Sequence, residues 1–73
     1  MSLLSFKTYC IENYAEYKNL PSSKVFKDFE KTKLLNHLES DYEDLHGMGK
    51  TYLMNYFDKW LSGGTETEKI KNP

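Results

Sequence analysis

Cysteine occurs once in this chain, at Cys10, so no intramolecular disulfide can brace the fold. A lone thiol on an apolar stripe suits a reducing compartment, and the expected location is the cytoplasm. Long apolar runs are missing as well. None approaches the ~20 residues needed to cross a bilayer, and Met1 to Phe6 shows neither the basic nor the apolar region of a signal peptide, so no membrane association is expected. Neither sign of charge dominates. Ten basic residues meet eleven acidic ones, which removes any global drive towards nucleic acid or an anionic membrane. β-Branched residues are scarce and no segment alternates with period two, which argues against strands. No HxxxH or CxxC spacing offers metal ligands, and no cofactor is expected.

What is present is aromatic bulk and helical spacing. A chain of 73 residues buries only about 60% of the surface that its unfolded form exposes. Six Tyr, four Phe and one Trp therefore matter, because each removes a large apolar area from water. Leu3, Phe6, Cys10, Tyr14 and Tyr17 step by three or four, and Leu4, Ile11 and Ala15 widen the same face. That spacing predicts a helix from about Leu3 to Lys18. Pro21 disfavours helical geometry at Leu20, and Ser22 or Ser23 is the expected cap of a second helix. Val25, Phe26 and Phe29 form the apolar stripe of this helix, which ends near Lys31 or Thr32; Lys24, Lys27 and Lys31 make a basic row on its other side.

Leu34, Leu35, Leu38, Tyr42 and Leu45 mark a third helix with an acidic face of Glu39, Asp41, Glu43 and Asp44. Tyr52, Leu53, Tyr56, Phe57, Trp60 and Leu61 mark a fourth, ended by Gly63-Gly64. The fold class that follows is all-α: a compact bundle of about four short helices. Residues 1–62 form the domain and 63–73 a disordered tail.

The segment from Tyr42 to Thr51 holds the motifs that invite a chemical interpretation. Gly49-Lys50-Thr51 matches the end of the phosphate-loop pattern, but Asp44 stands where the first glycine belongs and no strand precedes it. The plainer reading is a helix joint made of Tyr42, Leu45, His46, Gly47 and Gly49. In it Leu45 anchors, Gly47 caps, and His46 contacts carbonyls of the last turn one helical turn from Tyr42. His37 is most simply a boundary residue. Cys10 has no activating neighbour in sequence and is expected to be buried. The acidic third helix argues against a DNA-recognition helix, since phosphates would repel it.

The ordered pattern Cys10-Ile11-Glu12-Asn13-Tyr14-Ala15, Lys24-Val25-Phe26-Lys27-Asp28-Phe29-Glu30 and Tyr42-x-x-Leu45-His46-x-x-Gly49 resembles a bacterial family of small domains of unknown function, catalogued under the number three-seven-nine-one. The likeness covers about Leu4 to Leu61. It departs at Pro21, where the family pattern suggests a capping Ser, and at Met48, where a polar residue is common. Because its motifs are packing residues, the resemblance implies a fold more directly than a chemistry. It implies a small helical bacterial protein with no established catalytic residues, often encoded beside an ADP-ribosyltransferase-like toxin.

The functional expectation is a non-enzymatic protein-interaction module, an antitoxin-like partner of a neighbouring toxin. Candidate partner-binding residues are Lys24, Lys27 and Lys31, or Tyr52, Tyr56 and Trp60 where exposed. The alternatives are a small regulatory nucleic-acid-binding module using the lysine row, and a homodimeric scaffold in which the aromatic fourth helix is completed by its copy.

Overall fold

A computed structural model describes residues 2–63, and every regular element among them is helical. The elements are α1 (Leu3–Lys18), α2 (Ser22–Lys31), α3 (Leu34–Ser40), α4 (Tyr42–Leu45) and α5 (Lys50–Leu61). The all-α bundle expected from the apolar spacing is thus observed. The disordered tail expected over 63–73 lies, apart from Gly63, outside the described residues. No helix among the described residues is long and apolar enough to cross a membrane.

Each helix end has a local cause. Ser2 caps α1 by accepting from the Ser5 amide at 3.1 Å. At the other end Asn19 turns left-handed, at φ 57°, and the Leu20 and Asn19 amides bond back to the Ala15 and Glu16 carbonyls. This is a Schellman closure, for which Asn is among the few residues suited besides Gly. The helix therefore ends before Pro21 can act on it.

Three expectations about the joints need correction. No serine caps α2. Pro21 occupies that position in extended geometry, and its carbonyl accepts from the Lys24 and Val25 amides. The Ser22 hydroxyl instead donates to Glu12 across to α1 at 2.9 Å. The third helix is also not continuous. Asp41, at φ −108°, ends α3, and its carbonyl starts α4 by accepting from the Asp44 and Leu45 amides. Thirdly, His46 rather than Gly47 closes α4, and neither Gly47 nor Gly49 has positive φ. Gly63 does, at φ 80°, as a glycine just past α5 should.

The core draws on all five helices. Tyr14, Phe29 and Phe57 lie at its centre, with ring centroids 5.3–5.9 Å apart, and join α1, α2 and α5. Tilted and edge-on contacts of this kind place ring edges against ring faces. Phe6, Cys10, Leu34, Leu38, Leu45 and Leu53 fill in around them. Some members of the apolar stripes fall outside. Leu4 is 74% exposed and Phe26 44%, whereas Met54, on no stripe, is buried.

Candidate functional site

The candidate site is a ladder of rings on α5, with one rung supplied by α3. Tyr52, Tyr56 and Trp60 recur every four residues and so share one side of α5. Tyr52 and Tyr56 lie nearly parallel, 6.0 Å apart. His37 reaches over from α3 and stacks on Tyr56 at 5.8 Å and on Trp60 at 4.5 Å. Hydrogen bonds lock the ladder at two points. His37 Nε2 meets the Tyr56 hydroxyl at 2.5 Å, with Tyr56 donating when that nitrogen carries no proton. The Trp60 indole N–H donates to the Thr32 carbonyl at 3.1 Å, beside the end of α2.

Charge enters from the break between α3 and α4. An Asp41 carboxylate oxygen lies 3.5 Å from His37 Nε2, so Asp41 becomes the ion partner of the imidazole when it is protonated. Burial, then the Asp41 charge, then Tyr52 raise the Tyr56 phenol above its ordinary value, which keeps its hydrogen bond in place. The outer end of the ladder is open. Tyr52 is 51% exposed, and with Asn55, Tyr56 and Lys59 it borders a shallow depression of about 290 Å³.

Of the six sequence-derived binding candidates, the three aromatics come together here. The three lysines do not; they lie on α2 with Ser23 and Asp28. Lys24 there is paired with Asp28 at 3.1 Å, while Lys27 and Lys31 remain exposed. His37 was missed, because its partners Tyr56 and Trp60 are tertiary neighbours that no local pattern announces.

The joint residues also occupy definite places. Leu45 is buried, and Tyr42 packs edge-on against Phe6 at 5.5 Å. His46 stacks on Tyr42 at 4.5 Å, and its Nδ1 lies 2.8 Å from the Tyr42 carbonyl, as its position one turn later implies. Gly49, Lys50 and Thr51 form an ordinary helix start with no strand before it, and Asp44 is exposed. Glu43 and His46 have a Glu-x-x-His spacing, which by itself offers two ligands. No third ligand joins them: among the described residues no group of three or more His, Cys, Asp or Glu side chains is placed to hold a metal ion. Cys10 is fully buried, and burial pushes its thiol up to about 12. A protonated, inaccessible thiol is not a nucleophile.

Residues 5–61 match the family described as "Protein of unknown function (DUF3791)". The chain belongs to this family. The match spans α1 from its first turn to the last residue of α5, so the DUF3791 unit is the described bundle itself. Every ladder residue lies inside it, as do the joint and the lysine row. No curated protein matches this DUF3791 chain. No solved structure does either.

Proposed function

We propose that this DUF3791 chain is a non-enzymatic protein-interaction module that docks a protein partner on the ring ladder of α5. One observation carries the reading: contacts within the chain already hold the ladder in place. Stacking and two hydrogen bonds hold Tyr56, His37 and Trp60, while Tyr52 stands half-exposed at the open end. Rings already fixed in place lose little freedom on binding, and Tyr and Trp dominate interface hot spots. Lys59 and Asn55 supply a polar edge beside them. On this reading the module is a bacterial cytoplasmic protein, and its partner is a toxin encoded alongside, whose cleft the helical face covers.

Co-expression with the product of the adjacent gene tests this. A stable complex is expected, weakened by Tyr52→Ala, which removes an exposed ring without disturbing the core. A harmless neighbour that never copurifies would sink the proposal. The nucleic-acid alternative draws on Lys27 and Lys31, the exposed lysines of the row. It has little support, since the chain has no arginine to grip phosphates in bidentate fashion. A gel shift at low salt, repeated with both lysines reversed to Glu, decides it.

A further inference from the structure

A second feature lies away from the ladder, between α1 and α2. There Ile11 and Phe26 floor an open groove of about 440 Å³, with Thr8 beside them. Phe26 is 44% exposed, although it sits among core residues in sequence. Leu4, the most exposed large apolar residue, precedes Thr8 by one turn and Ile11 by two, so it extends the same face of α1. Apolar side chains gathered along one groove, rather than scattered singly, form a surface that association can cover.

The rim determines what fits. It carries Glu12 on α1, and Lys27 and Glu30 on α2. Neither a uniformly acidic nor a uniformly basic partner helix suits such a border, because each would meet at least one like charge. A surface that bears both signs around an apolar centre can complement itself. A two-fold axis brings the same patch of both subunits together, so each Lys27 can face an acid of the other copy, twice over. The Glu12 carboxylate already accepts from Ser22, which holds it at the rim.

We propose that a second copy of this chain seats on the α1–α2 groove, forming a two-fold dimer with Phe26 and Ile11 at its centre and Lys27 paired with Glu12 or Glu30 of the other copy. This places the contact on α1 and α2, whereas apolar patterning alone had suggested α5. It leaves the ladder available for a different protein.

Sedimentation equilibrium of the purified chain, from micromolar to low millimolar concentration, is the first test. A reversible monomer–dimer equilibrium is expected, and a monomer throughout overturns the proposal without touching the partner reading above. Charge variants locate the interface. Lys27→Glu makes the rim wholly acidic, and the double variant Glu12→Lys, Glu30→Lys makes it wholly basic. Each alone should raise the dissociation constant by at least about tenfold, because like charges then meet across the axis. Mixed together, the two variants should form a 1:1 heterodimer of roughly wild-type affinity. Circular dichroism confirms that each is folded, as all three positions are exposed. A wild-type dimer that ignores these changes and Phe26→Glu, or variants that fail to complement, overturns the proposal.

Discussion

The hydroxyl of Tyr14 donates to the carboxylate of Asp58 at 2.5 Å, tying the middle of α1 to the last turns of α5. The same carboxylate accepts from Tyr17 at 3.4 Å and pairs with Lys18 at 3.1 Å. The Tyr14 bond is the main reason the carboxyl lies below its ordinary value, with Lys18 and Tyr17 adding to it against a desolvation cost. Tyr14 thus does two jobs: its ring sits in the core against Phe29 and Phe57, while its oxygen reaches the surface.

Removing that hydroxyl should be measurable. Tyr14→Phe keeps the ring and leaves Asp58 with Tyr17 and Lys18 as partners, so the loss is limited to about 1–2 kcal/mol. Urea unfolding at neutral pH checks it. Asp58→Asn addresses acid. A carboxyl lowered in the fold contributes stability above its unfolded value of 3.8 and loses it as pH falls through the folded value. The variant should therefore lose less stability than wild type between pH 5 and pH 2. Parallel acid curves would contradict this.

The bundle was legible in the sequence because its apolar spacing is local. Phe6, Cys10, Leu38, Leu53 and Phe57 are buried where period 3.6 places them. Period says that a face is apolar, not what covers it, so Leu4 and Phe26 were assigned to a core they do not join. The break at Asp41 was hidden because an aspartate there also continues the acidic face. His37 was opaque for a further reason: a histidine between Asn36 and Leu38 acquires meaning only when α5 delivers Tyr56 and Trp60 to it. The family match spans the bundle from α1 to α5 but its description names no activity, so it leaves the chemistry open.

Alkaline pH should destabilise the fold in a defined window. Burial raises the Cys10 thiol to about 12 from an ordinary 9.0. Tyr14 is raised from 10.0 by burial and then by its bond to Asp58. Groups raised in the fold contribute stability below their unfolded values, and that stability is lost as pH climbs towards the folded ones. Urea midpoints should hold steady up to about pH 9 and then fall. Cys10→Ala lowers the whole curve by leaving a small void but should flatten its start. In the native protein a thiol reagent should modify Cys10 only at the rate of opening.

Trp60 is the single tryptophan, and His37 covers one face of its ring. His37→Ala strips that cover and the Tyr56 hydrogen bond together. The fluorescence maximum should move to the red, and stability should fall by about 1–2 kcal/mol. His46→Ala is the matching control. It removes an exposed ring stacked on Tyr42, so its cost should stay within about 0.5 kcal/mol and leave the fluorescence unchanged. Equal effects from the two histidines would mean that the ladder contributes no more than a surface contact.

The glycines should divide by backbone rather than by position in a motif. A Cβ at Gly47 meets nothing within 4 Å, and the residue has no positive φ. Gly47→Ala should be neutral or stabilise by about 0.4–1 kcal/mol, chiefly by narrowing the unfolded ensemble. Gly63 also has open space around it, but at φ 80° a side chain is strained, so Gly63→Ala should cost about 1 kcal/mol. Lys33 is the mirror case, a branched-chain-free but bulky residue held at φ 68° between α2 and α3. Lys33→Asn suits that conformation better and should raise the thermal midpoint by a few degrees. If Gly47→Ala were the costly change and Lys33→Asn had no effect, left-handed backbone would not be what limits these joints.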